Sequence, residues 1–231
     1  MPCLRCLLPE RRRKMPVFTP NPELRNQIFQ NVRDQVLKPR DGIHLSDTCF
    51  CSRKAYFRKM DMAPSATDEQ CLLWLTGFAF QAYMFPLELE EGLLVDGINC
   101  TPDVRTGIEV KTTRQSSKKF VPEEMAHWHR QILGYAKALG KLEYDLVVMF
   151  ITGNYAPPFP SLDCWHIQAT QEEVDQNWRV VLEKAEVLRG SILLGIPPLP
   201  DPWSWEGQYC ECWELCPDTP CHNRRTLKKS L

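Results

Sequence analysis

Between Thr101 and Thr113 the chain gathers residue types that can hydrolyse a phosphate ester: Asp103, Glu109 and Lys111. Glu109 and Lys111 stand two apart in a β-branched run, so on a strand they share one face while Ile108 and Val110 point to the other. Thr106-Gly107 reads as a hairpin turn that returns Asp103 to the side of Glu109. Two carboxylates and an ammonium then converge. Paired carboxylate oxygens suit a hard divalent ion, Mg²⁺ or Mn²⁺, which lowers the pKa of a bound water and neutralises charge developing on a phosphate. The Lys111 ammonium would orient that water or stabilise the transition state. A solvated surface strand with alternating Glu and Lys gives the same pattern, so the surrounding elements must decide between the two.

Those elements belong to a chain of 231 residues with 43% hydrophobic and 25% charged content, which is long enough and apolar enough to bury a core. The longest apolar run, Leu146 to Ile151, is far too short to cross a membrane, and no secretory signal opens the chain, so a cytoplasmic protein is expected. The formal net charge of -1 does not advertise nucleic-acid binding. Local basic clusters do occur, at Arg53, Lys54, Arg58 and Lys59 and at Lys118 and Lys119. They are the guess for a DNA path.

Residues 1–20 show no periodicity and read as a flexible extension. Residues 21–200 read as the core, an α/β alternation of the order α-β-β-α-β-β-α. Asn21 caps a first helix that runs toward Pro39, with Leu24, Ile28, Val32 and Leu37 near helical spacing. Within segment 43–60, Ser46 can cap a helix carrying Cys51, Arg53 and Tyr56. Asp68 to Phe85 is apolar on most sides and therefore expected to be buried. A strand from Leu87 to Val95 leads into the Asp103 to Lys111 hairpin. A helix then starts at Pro122 and stops at Gly140, with His127, Gln131 and Tyr135 on one face. Of these, His127 and its neighbour His129 read as DNA contacts or plain surface. Tyr144 to Ile151 is a buried strand, Asn154 to Pro160 a loop, and Cys164 to Ala169 a shorter strand. A capping box of Thr170 and Glu173 then opens a long helix to about Arg189. Past the prolines near 200 the chain becomes rich in tryptophan and cysteine. Segment 201–231 holds Cys210, Cys212, Cys216 and Cys221 and ends in a basic tail. Thiols so crowded in an intracellular chain speak for a metal, zinc or an iron-sulfur cluster, rather than for disulfides.

Pro102-Asp103 followed by Glu109-x-Lys111 resembles the signature of the PD-(D/E)xK nuclease superfamily. Gln131-x-x-x-Tyr135, placed just after that strand, resembles the Gln-x-x-x-Tyr helix of its RecB-like branch. The resemblance extends to the iron-sulfur members of that branch, the CRISPR-associated exonucleases and the AddB-type helicase-nucleases. In those, a Cys-x-Arg helix precedes the core, as Cys51-Ser52-Arg53 does here, and three cysteines follow it. The resemblance implies a restriction-endonuclease-like core, a mixed central sheet flanked by helices, with a cysteine-rich C-terminal iron-sulfur staple. It implies a metal-dependent deoxyribonuclease acting exonucleolytically on single-stranded DNA. Asp103, Glu109 and the Val110 carbonyl would hold Mg²⁺ or Mn²⁺, Lys111 would position water, and Gln131 and Tyr135 would orient the scissile phosphate. Cys51, Cys212, Cys216 and Cys221 would hold a [4Fe-4S] cluster, with Cys210 as the alternate. The histidine that RecB-like nucleases add as a further ligand is replaced here by Gln81. A CRISPR adaptation or recombination complex is the implied partner assembly. The competing expectation is a non-catalytic DNA-binding or adaptor module that keeps the cluster, or a zinc site, for structure alone.

Overall fold

The computed structural model describes residues 20–38, 40–86, 92–152, 160–203 and 205–217. Cys221, the basic tail, almost all of the N-terminal extension, the start of the strand expected from Leu87 and most of the loop at 154–160 lie outside these residues. Six α-helices and six strands are described in the order α1 (Pro22–Val36), β1 (Ile43–His44), α2 (Leu45–Cys49), α3 (Ser52–Lys59), α4 (Asp68–Met84), β2 (Leu93–Val95), β3 (Ile98–Cys100), β4 (Ile108–Thr113), α5 (Ala126–Leu139), β5 (Glu143–Phe150), β6 (Ser161–Gln168) and α6 (Gln171–Leu194). The fold is mixed α/β. Its strands form two three-stranded mixed sheets, ordered β1-β3-β2 and β4-β5-β6, where one central sheet was expected. In each sheet one pair is parallel and one antiparallel.

Local chemistry explains most element boundaries. Asn21 accepts the Leu24 N–H at 3.0 Å to start α1, and Thr170 and Glu173 close the capping box of α6. Gly140 ends α5 and Gly195 ends α6, both in the left-handed conformation that costs glycine nothing. Elsewhere the expected elements are divided. The helix expected to start at Ser46 and run through Cys51 is two helices, because Phe50 and Cys51 take extended backbone between α2 and α3. The helix expected from Pro122 opens as a 3₁₀ turn over Pro122–Glu124, and α5 begins only at Ala126. On α1 only Val32 is buried, while Leu24, Ile28 and Leu37 are exposed.

The core lies where α5 and α6 pack together, with α2 and α3 against α6 and with α5 against both sheets. Leu45, Ile132, Leu146, Val148, Phe150, Val181 and Leu188 are essentially without exposure there. Gly134 is the close-approach point between α2 and α5, since a Cβ added to it would lie 2.6 Å from both terminal methyls of Leu45. Gly134→Ala should therefore destabilise the fold by about 1–3 kcal/mol through overpacking, read as a lower urea midpoint with an unchanged m-value. An unshifted midpoint would mean that α2 can slide without cost. Among the described residues no helix is long and apolar enough to cross a membrane.

Candidate active site

β4 is the edge strand of its sheet, and residues 103–107 fold back against it. Val104 bridges Ile108 in antiparallel fashion, and Gly107 sits at φ +101° between them, a conformation that side chains resist. This turn carries Asp103 onto β4, where its Oδ2 accepts the Val110 N–H at 2.8 Å. The Val110 N–H is thereby turned toward Asp103 rather than toward β5. A strand residue's carbonyl points to the same side as its N–H, so the Val110 carbonyl is turned that way as well.

Glu109 has no exposed surface at all, and Lys111 is ion-paired to it. The Lys111 ammonium also donates to Gln131 Oε1 at 3.0 Å, and Gln131 Nε2 in turn donates to Tyr135 Oη at 3.0 Å. The five residues singled out by spacing are thus brought together: Asp103 on the turn, Glu109 and Lys111 on β4, Gln131 and Tyr135 one turn apart on α5. Burial pushes the Asp103 carboxyl above its usual range, against the pull of Lys111 and the Val110 N–H. Burial would lower Lys111, but Glu109 and Asp103 outweigh it and hold the ammonium above its usual range. Burial, reinforced by both carboxylates, keeps Tyr135 a neutral phenol.

Gln81 on α4 is buried and donates through Nε2 to the Asp103 carbonyl at 3.0 Å. Two further groups of the site were not singled out by spacing. Burial, reinforced by both carboxylates, raises the Tyr144 phenol, and its hydroxyl makes no hydrogen bond among the described residues. The Cys49 thiol feels Lys111 and Glu109, and burial pushes it up to about 12. A tyrosine near the start of a strand and a cysteine in a short helix carry no sequence signal for this placement, since α2 is brought to the site only by tertiary packing against α5. His127 is half-buried, in tilted ring contact with Phe50 and Trp205, and burial, with Lys111 and His129, lowers it to about 4.

The donor set fits a hard divalent ion: two carboxylates and a main-chain carbonyl, all oxygen, with a cation alongside. Among the described residues no three His, Cys, Asp or Glu side chains converge closely enough to hold a metal by themselves. An ion at Asp103 and Glu109 would therefore complete its shell with the carbonyl and water, the usual habit of Mg²⁺. The cysteine cluster fits its expected group less well. Cys210 and Cys212 are hydrogen-bonded, with Cys210 drawn down to about 7 by that bond and Cys212 raised by it. Cys216 is held by Arg53, but the described cysteines do not close a metal-holding group, and Cys221 lies outside the described residues.

The segment that carries these cysteines is clamped to α3. Ser52 donates to Asp201, Arg53 to the Pro198 carbonyl, and Arg58 to Glu211, while Lys54 lies between Glu206 and Glu211. Lys59 is paired with Asp47. The α3 cations, expected to line a DNA path, are instead engaged by the protein itself. Lys118 and Lys119 are exposed.

No family model and no curated protein matches the sequence. Among solved structures, the crystal structure of SSO0001 is similar with a TM-score of 0.53 at 20% identity, over 84% of this chain and 96% of that one. The two share a fold. The alkaline exonuclease LHK-Exo from Laribacter hongkongensis, and its complex with dAMP, are more distant, with a TM-score of 0.41 at 12% and 13% identity over 66% of this chain and 90% of theirs. A likeness at that level carries no argument about this chain.

Proposed function

We propose that this chain is a metal-dependent DNA nuclease that hydrolyses phosphodiesters, acting exonucleolytically on single strands. One observation carries the reading: the unbroken chain of contacts from Glu109 through Lys111 and Gln131 to Tyr135, beside an Asp103 that is fixed to the same strand. A polar chain in which every member is partnered on a dry strand face is costly to build for structure alone. Asp103, Glu109 and the Val110 carbonyl would hold Mg²⁺ or Mn²⁺, which when bound supplies an acidified water and charge neutralisation at the phosphate. Lys111 stays an ammonium, so it donates to the attacking water or a phosphate oxygen and does not act as a base. Gln131 accepts from Lys111 with its oxygen and donates with its nitrogen, which fixes its amide orientation. Tyr135 stays protonated and can offer its hydroxyl proton to the phosphate.

The [4Fe-4S] staple of Cys51, Cys212, Cys216 and Cys221 belongs to the same reading, supported by the clamping of the cysteine segment onto the helix that Cys51 caps. A CRISPR adaptation or recombination complex rests on the resemblance alone. One observation favours the adaptor alternative. Gln81 donates its amide nitrogen to the backbone of Asp103, so the place of the extra ligand serves structure.

End-labelled single-stranded DNA, incubated with anaerobically purified protein in Mn²⁺ or in EDTA, separates the two. Cleavage in Mn²⁺ and none in EDTA is expected, with the product ladder giving polarity and iron analysis reporting the cluster. Protein that binds the strand in Mn²⁺ and leaves it intact would sink the nuclease reading in favour of the adaptor.

A further inference from the structure

α4 was expected to be buried, and it is not. Of its apolar residues only Cys71 is fully covered, while Trp74 and Phe78 keep 39% and 53% of their surface. These two are not on the outer side of the helix. Trp74, Phe78 and Gln81 follow at i, i+4 and i+7 and form one stripe. Gly77, beside that stripe, lies against β4, where an added Cβ would be 3.4 Å from Thr112 Oγ1. Cys71, on its other side, faces Arg33 of α1. The aromatic stripe therefore occupies the furrow between α1 and β4, and its C-terminal end is Gln81, bonded to the Asp103 carbonyl.

We infer that Trp74 and Phe78 are a base-stacking track that leads the unpaired strand to the candidate site, an inference that rests on the nuclease reading. Three observations select this occupant. The stripe is continuous with the site through Gln81. Its spacing suits nucleotides, because residues four apart on a helix rise about 6 Å, close to the step between bases in a stretched single strand. A cation is also in place. Gln81 meets Asp103 beside Val110 while Gly77 meets Thr112, so α4 and β4 run in opposite directions. The chain leaving β4 starts toward Trp74 with the exposed Arg114, before Phe120, packed on Trp128, Phe150 and Trp165, draws Lys118 and Lys119 to the α5 side of the sheet. Aromatic faces for bases with cations for the backbone are what sequence-tolerant single-strand binding uses. Duplex DNA has no free base faces to offer the stripe, so the track selects single strands.

The test is binding, measured in the full chain carrying Glu109→Gln with Lys111→Met, which removes both buried charges together, so that nothing is cut. A labelled thymidine 12-mer, an abasic 12-mer of equal charge and a duplex are titrated against this protein with and without Trp74→Ala and Phe78→Ala. The double substitution is expected to weaken thymidine binding by about tenfold or more, with little change for the abasic strand. Trp74→Phe with Phe78→Tyr should restore it. Equal binding of the thymidine and abasic strands, or thymidine binding untouched by the double substitution, overturns the track. So does a loss of stability or a change of oligomeric state with binding intact, since the stripe would then be a seat for protein. Failure of the nuclease reading registers separately, as binding without cleavage by the unsubstituted chain in Mn²⁺.

Discussion

Lys111→Ala is expected to lower the single-turnover rate of single-stranded DNA cleavage by about 10²–10⁴-fold, the range seen when one positioned donor or proton-handling group is removed from a closed site. Lys111 is not an ordinary surface lysine. Its side chain is 18% exposed, it pairs with a carboxylate that is wholly buried, and its second partner is the Gln131 amide. Burial would lower it, but two carboxylates outweigh that and hold its ammonium above the usual range. Deleting it removes the donor nearest Glu109, releases Gln131 from one of its two bonds, and leaves a buried carboxylate without its cation. That last effect alone costs about 3–5 kcal/mol if Glu109 stays ionised. An inactive variant could then simply be unfolded. The control is Glu109→Gln combined with Lys111→Met, which removes both charges and keeps the volume. It is expected to recover most of the urea stability lost by Lys111→Ala and none of the activity. A folded Lys111→Ala protein that cuts at the parental rate would remove Lys111 from the mechanism.

The parts of this site that could be read in the chain are those fixed by neighbours in sequence. A strand alternates every residue, so Glu109 and Lys111 had to share a face. A helix repeats every three to four, so Gln131 and Tyr135 had to align, and the structure joins them by a hydrogen bond. The caps Asn21, Thr170 and Gly140 are equally local. What could not be read depends on pairing between distant segments. Nothing in β1, a strand of two residues, announces that it pairs with β3, and so the division into two sheets was hidden. α4 misled for a definite reason: apolarity on most sides of a helix signals burial only when enough neighbours exist to cover it. The α3 cations misled because a basic cluster looks the same whether phosphates or carboxylates will meet it. The carboxylates that meet Lys54 and Arg58, Glu206 and Glu211, lie about 150 positions later, in a tryptophan-rich segment in which acidic residues carried no motif.

Glu206 is the member of that clamp whose loss should be felt most. Glu206→Ala is expected to lower the melting temperature by roughly 6–12 °C, from a cost of about 3 kcal/mol in a chain of this size. The carboxylate is only 2% exposed. Both its oxygens lie 3.2 Å from the Cys51 N–H, Oε2 is 3.3 Å from the Trp203 N–H, and Lys54 Nζ approaches Oε1 at 3.7 Å. One buried anion thus satisfies the first N–H of the α3 entry, the N–H of the segment that must dock there, and part of the Lys54 charge. Alanine leaves two buried donors without that acceptor, a cost that water repays only by entering the joint. The cost is also transmitted toward the candidate site. Trp203 donates its indole N–H to the Cys49 carbonyl at 2.8 Å and carries Arg130 over its ring, so a loosened segment releases α2 and α5 together. Glu206→Ala should therefore make the chain cleavable by a glutamyl protease at Glu211 or Glu214 at temperatures where the parent resists. Glu211→Ala is the measure of what such a clamp is worth at its rim. Glu211 holds two cations, Arg58, whose 48% exposure limits that pair to about 1 kcal/mol, and Lys54 at 3.3 Å, which it shares with Glu206. A melting temperature lowered equally by both substitutions would show that the joint is held by its charges in general. A fall confined to Glu206→Ala would place the hold on the buried N–H groups of Cys51 and Trp203.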